Sequence, residues 1–265
     1  MEYVVVAITV LFGAGLTFFS GFGLGTLMLP VFSLFFDLPV AVGATAVVHF
    51  ANNIFKFAMV SKYIHVQTYL RFGLPALVAA IAGGFVLTYF DAIPPLKEYT
   101  ISDNSFQITP VKIGIGSLMI FFAWFDLDPR FSNLNVTAKH LPFGGILSRF
   151  FGGFSGHQGA FRATFLTKAG LSKEQFVGTS NAVSLTVDLM RMTVYFLGAK
   201  AIHGESKLLD AISDSKLLLG TGILFAFVGT LLGKRLLTKT TINGIQKTVG
   251  VLLVLMGSAM IAGIL

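Results

Sequence analysis

Apolar positions along the chain gather into eight runs, at about 3–36, 39–61, 70–90, 111–126, 141–168, 174–199, 216–236 and 247–265. A helix needs roughly 20 consecutive apolar residues to cross the hydrocarbon core of a bilayer, so most of these runs predict one crossing each. The runs 3–36 and 141–168 are too long for one ordinary crossing, and each carries small residues near its middle. The first reads Ser20-Gly21-Phe22-Gly23-Leu24-Gly25, with Pro30 beyond it, and the second reads Gly152-Gly153-Phe154-Ser155-Gly156-His157-Gln158-Gly159. Both are expected to be broken, hairpin-like helices. The loops 91–111 and 200–216 are the only sizeable polar segments and are too short to be domains of their own. A single transmembrane domain over 1–265 is therefore predicted.

Sliding the sequence along itself by 135 residues brings Ser20-Gly21 onto Ser155-Gly156 and Val42-Gly43-Ala44-Thr45 onto Val177-Gly178-Thr179-Ser180. Asn53 and Lys56 fall on Asp188 and Arg191. Three matches in one register predict a duplication, with repeat 1 at about 1–126 and repeat 2 at about 139–265. Loop charge orients the halves. If the two long runs return to their starting side, Lys62, Arg71, Arg130, Lys139, Lys168, Lys173, Lys234, Arg235, Lys239 and Lys247 share one face. Only Lys97, Lys112, Lys200, Lys207 and Lys216 face the other, which is the positive-inside bias. Each repeat then crosses an odd number of times, so the halves are inverted, as in many secondary transporters. The fold class expected is an all-α integral membrane protein of two inverted repeats, each with a Gly-rich broken segment and about three transmembrane helices.

Composition supports that reading: 54% of the residues are hydrophobic and 12% charged, where a water-soluble domain carries about 25% charged residues. The net charge of +7 comes without a basic tract, so loop positions explain it better than nucleic acid does. The absence of cysteine excludes disulfides and thiolate chemistry. Met1-Glu2-Tyr3 offers no basic n-region or cleavage site, so the first run is expected to remain as a membrane segment.

The candidate chemistry lies where polar residues enter the apolar runs. Each break would present the N-terminus of a half-helix inside the membrane, where free N–H groups and the helix dipole favour an anion. Close helix packing would explain a single glycine cluster equally well. The paired clusters favour a substrate site built from Ser20, Gly21, Gly23, Gly25, Ser155, Gly156, His157, Gln158, Gly159 and Arg162. Thr45, Asn52, Asn53, Thr179, Ser180 and Asn181 form matched polar patches on the following helices and are expected to face the same cavity. An intramembrane charge costs about 2.5–3.5 kcal/mol or more unless paired or hydrated, which draws attention to Lys56, Arg149, Arg162, Asp188 and Arg191. Asp188 and Arg191 lie three apart on one helical face and are expected to pair with each other, in a structural role or in ion coupling together with Lys56. Lys56 reads as snorkelling from a helix end, Arg149 as lying near the end of its segment, and His49 as a packing residue. No metal-ligand spacing, nucleotide loop or catalytic triad appears in the sequence, so no metal, cofactor or enzymatic activity is expected.

The pairing of a Gly-rich motif with Ala41-Val42-Gly43-Ala44-Thr45, and again with Val177-Gly178-Thr179-Ser180-Asn181, resembles the sulfite exporter TauE/SafE family. The most specific element is Gly153 to Arg162, G-F-S-G-H-Q-G-A-F-R, and the resemblance covers nearly the whole chain. It departs from the family's commonest pattern at His157 and Gln158, where that pattern has glycines. The resemblance implies a multi-pass permease of a prokaryotic inner membrane that moves sulfite, a related sulfur oxyanion or an organosulfonate. An anion channel, an intramembrane enzyme and a membrane subunit that binds an anion without moving it are the competing readings. A small anion and lipid are the expected partners, with no nucleic acid; homo-oligomerisation stays open.

Overall fold

The computed structural model describes residues 1–20, 24–102, 104–128, 130, 137–155, 159–167, 169–203, 207–236 and 242–265. The first long run holds α1 (Glu2–Ser20) and α2 (Leu24–Phe32). They are followed by α3 (Leu38–Val60), a 3₁₀ turn at Ser61–Tyr63 and α4 (Val66–Asp91). A hairpin of β1 (Lys97–Ile101) and β2 (Asn104–Ile108) precedes α5 (Pro110–Leu127). The second long run holds α6 (Leu141–Ser155) and α7 (Gly159–Thr167). The chain continues through α8 (Lys173–His203), α9 (Lys207–Asp214), α10 (Lys216–Leu236) and α11 (Ile242–Ile261).

Local chemistry fixes several helix starts. Pro110 occupies the first turn of α5, where its missing N–H costs nothing, and the Thr109 hydroxyl accepts from the Lys112 N–H at 3.2 Å. Ser172 and Gln175 form a reciprocal capping box at the start of α8. The Ser172 hydroxyl accepts from the Gln175 N–H at 3.2 Å, and the Gln175 side chain accepts from the Ser172 N–H at 3.1 Å.

Among the described residues three stretches, Val40–Tyr63, Val66–Asp91 and Lys216–Arg235, are long and apolar enough to cross a membrane, and Glu2–Phe18, Pro110–Phe125 and Gly250–Ile261 are shorter apolar helices. Burial is inverted relative to a water-soluble protein. Large apolar side chains such as Val78, Phe85, Trp124, Leu217 and Leu255 lie on the outside, while His49, Asn53, Arg149, Asp188 and Arg191 are buried within. Lipid solvates the former, and only the interior can satisfy the latter.

Close helix contacts set the arrangement. A Cβ at Gly145 would stand 2.2 Å from the Phe72 carbonyl oxygen, and one at Gly153 would stand 2.3 Å from that of Ala80. Helices α4 and α6 therefore run side by side in the same direction. Helices α1 and α10 do likewise, with Gly229 against the Leu11 carbonyl and Gly233 against that of Gly15. Helices α3 and α8 run antiparallel: Asn53 meets Asp188, while Gly178 lies against the Val60 carbonyl. Helices α5 and α11 are also antiparallel, with Gly250 against Leu127 and Lys112 Nζ donating to the Gly263 carbonyl at 3.4 Å. One apolar cluster joins Val10, Met28, Val48, Met119, Ala226 and Leu253; a second joins Phe72, Phe122, Leu166 and Val187.

Two findings depart from the expectation of plain loops at 91–111 and 200–216. The loop 91–111 folds as an antiparallel hairpin, with Tyr99 opposite Phe106 and the Tyr99 hydroxyl donating to the Ala262 carbonyl. The loop 200–216 is largely helical, because α8 continues to His203 and α9 follows it.

Candidate functional site

The polar side chains of α3 lie on one helical face, since His49, Asn52, Asn53 and Lys56 are spaced three or four apart. That face meets α8. The Asp188 carboxylate accepts from Asn53 Nδ2 at 2.7 Å and lies 2.6 Å from His49 Nδ1. Asn181 Nδ2 in turn donates to Asn53 Oδ1 at 3.1 Å, so one hydrogen-bonded chain links the two helices.

Arginines close on this chain from the second half of the molecule. Arg162, in the first turn of α7, donates to the Ser184 hydroxyl, and Arg149 Nη2 reaches the same oxygen at 3.4 Å. Two guanidinium groups thus converge on one neutral hydroxyl. Arg191 Nη1 donates to the Gly152 carbonyl at 3.1 Å, and its other terminal nitrogen is 3.8 Å from Asp188. Lys56 Nζ lies 5.7 Å from the centre of the Phe18 ring, a cation–π contact. All four cations are buried, with Lys56 8% exposed and Arg149 0%.

A small cavity of about 30 Å³ opens beside this cluster. His49, Asn53, Lys56, Arg162, Ser180 and Asn181 supply most of its polar lining, with Phe18 and Phe176 among its apolar walls. Lys56, Arg149, Arg162 and Arg191 are buried around one buried carboxylate, Asp188, among the described residues. Such a cavity suits an anion.

Residues 5–260 match the family model of the sulfite exporter TauE/SafE. The chain belongs to the sulfite exporter TauE/SafE family. This TauE/SafE chain is accordingly a membrane transporter by family, and its apolar helices are of the kind that span a bilayer. A comparison with individually curated proteins found no match.

Of the residues singled out from the TauE/SafE sequence, Asn53, Lys56, Arg162, Ser180 and Asn181 line the cavity. Asp188 and Arg191 stand directly behind them. Thr179 instead accepts from the His65 N–H at 2.9 Å and ties down the connection after α3. Asn52 turns toward α10, where Thr230 donates to its Oδ1 at 2.8 Å. Thr45, Gly25 and Gly159 are buried, and Ser155 donates to the Phe151 carbonyl at 2.9 Å. Gly21, Gly23, Gly156, His157 and Gln158 lie outside the described residues, as does the side chain of Ser20.

Three expectations are corrected. His49 is not a packing residue but the closest partner of Asp188. Lys56 does not snorkel outward; it is buried at the cavity wall. Arg149 is fully buried and reaches across to α8 rather than sitting at a membrane surface. The expected pair of Asp188 with Arg191 is present at 3.8 Å, and Asp188 bonds His49 and Asn53 more closely because α3 faces it across the helix interface. Ser184 and Thr230 were missed. Ser184 had a signal, since it lies 135 residues after His49, the offset that relates Asn53 to Asp188.

Proposed function

We propose that this chain moves a small anion across the membrane, namely sulfite, a related sulfur oxyanion or an organosulfonate, and holds it in the cavity between α3, α7 and α8. The observation that carries the reading is the convergence of buried basic side chains on one cavity. Lys56 and Arg162 line the cavity, Arg149 and Arg191 stand behind them, and Asp188 is the one buried carboxylate among the described residues. Arg162 lies in the first turn of α7, so its charge and the positive helix end act together. An oxyanion accepts hydrogen bonds from a guanidinium in paired geometry, which a neutral substrate of this size would not exploit.

The proposed mechanism is alternating access by two inverted repeats that form one transporter domain. Element boundaries support the repeats: α2 and α7 span 24–32 and 159–167, and α3 and α8 begin at 38 and 173, each pair separated by the 135 residues between Asn53 and Asp188. Packing supports the inversion. A two-fold axis in the membrane plane makes an element antiparallel to its own copy, as α3 is to α8 and α5 to α11. The same axis generates two like cross-contacts, α1 with α10 and α4 with α6, both parallel. Export along an interior-negative potential gains about 2.3 kcal/mol per 100 mV for each negative charge that leaves, so it needs no ATP. Placement as a multi-pass protein of the plasma membrane follows from the same reading.

The test is flux of sulfite, thiosulfate, sulfate and a small sulfonate into liposomes containing the purified protein, with Arg162→Ala alongside. Saturable, selective flux that the substitution removes is the expected result. Absence of flux for every anion would reject the substrate class, and unchanged flux in the variant would reject the site.

A further inference from the structure

The contact between His49 and Asp188 is not needed to bind an anion; a carboxylate at such a site weakens anion binding. Its geometry points to another ligand. Asp188 Oδ2 accepts from Asn53 Nδ2 at 2.7 Å and lies 2.6 Å from His49 Nδ1, a separation at which a hydrogen must lie between ring and carboxylate. With Nδ1 engaged in this way, Nε2 is the ring nitrogen left to take up a proton, and His49 lines the same cavity as Lys56 and Arg162.

We propose that His49, oriented by Asp188, is the site through which this transporter binds one proton together with its anion. The inference rests on the anion-transport reading and adds the co-transported ion. Its electrostatics follow from the groups around the ring. Lys56 on α3 and Arg191 on α8 oppose a positive imidazole and Asp188 favours it, while Arg149 on α6 and Arg162 on α7 add positive charge to the same buried cluster at Ser184. An anion in the cavity supplies the second negative charge. Proton and anion therefore each strengthen the binding of the other, and the linkage is reciprocal. In the transport step water on one side gives a proton to Nε2 as the anion enters. Both leave on the other side, and His49 returns to its neutral form.

The test uses the full-length protein in detergent, titrated with thiosulfate, which carries no titratable proton near neutral pH. Calorimetry in buffers of different ionisation enthalpy counts the protons taken up. Net uptake on binding is expected in the wild type, lost in His49→Gln and reduced in Asp188→Asn. Binding without uptake in the wild type, or uptake that persists in His49→Gln, overturns the proposal and leaves anion binding standing. If thiosulfate does not bind, sulfite replaces it with its own ionisation subtracted; failure of both rejects the anion reading itself. In case His49→Gln does not fold, wild-type liposomes decide the matter. With the voltage clamped, an imposed thiosulfate or sulfite gradient should change internal pH, and anion movement without that change overturns the coupling.

Discussion

Replacing Asp188 is expected to lower stability while strengthening anion binding, two effects that rarely run in opposite directions at a structural ion pair. Asp188→Ala removes two short hydrogen bonds, from His49 and Asn53, and the carboxylate 3.8 Å from Arg191. At an effective dielectric of about 20, the Arg191 attraction alone is about 4 kcal/mol before desolvation is subtracted. Breaking a buried pair from one side costs about 3–5 kcal/mol, because the surviving charge stays buried. Asp188→Asn keeps an oxygen acceptor and loses mainly the charge assistance of two bonds, so a cost of about 2 kcal/mol is expected. At about 2–4 °C per kcal/mol for a chain of this size, the alanine variant should unfold roughly 10 °C lower in detergent, and the asparagine variant less. Ligand dependence runs the other way. At alkaline pH, where His49 stays neutral even with the anion bound, the asparagine variant gains one net positive charge at the cavity, so a given concentration of sulfite should there raise its unfolding temperature more than it raises that of the wild type. Wild-type stability in Asp188→Ala, or a smaller sulfite shift in Asp188→Asn at alkaline pH, would refute the charge accounting on which the site is built.

Four further outcomes follow. Lys56→Met should leave the fold intact and weaken sulfite binding by about tenfold, or about 1.4 kcal/mol, in a thermal-shift or calorimetric titration. Gly83→Ala and Gly229→Ala each drive a methyl to about 2 Å from a facing carbonyl oxygen, that of Phe150 or of Leu11, and should cost at least 1–3 kcal/mol by thermal unfolding. Gly220→Ala meets no atom within 4 Å and should be neutral or stabilising by up to about 1 kcal/mol. Thr230→Val should cost about 1–3 kcal/mol, because it leaves the buried Asn52 carbonyl without the donor at 2.8 Å; an unchanged unfolding temperature would show that water takes its place.

The apolar runs were legible because a bilayer-crossing helix is a long, uniform signal. The runs 39–61 and 216–236 match α3 and α10 almost to the residue. The hairpin was not legible. Its pattern is a short alternation, Tyr99 and Ile101 against Phe106 and Ile108, inside a loop that hydropathy over 20 residues averages to polar. At the site, Asn53, Lys56, Asp188 and Arg191 stood out because charge and amide groups are costly in an apolar run. His49 was passed over although it shares their helical face, because its partner Asp188 is 139 residues away and nothing local marks the pair. Arg149 was misread for a related reason: its position along α6 suggested a membrane surface, whereas packing of α6 against α4 places it inside. Distance along the chain hides partnerships that the antiparallel crossing of α3 and α8 creates.

The central claim is that an oxyanion sits between α3, α7 and α8, and diffraction can test it directly. Crystals grown with selenite, which mimics sulfite and scatters anomalously, should show one selenium peak in the cavity between Lys56 and Arg162, and that peak should vanish in Arg162→Ala. A selenium site elsewhere in the protein, or none while selenite flux persists in liposomes, would contradict the account.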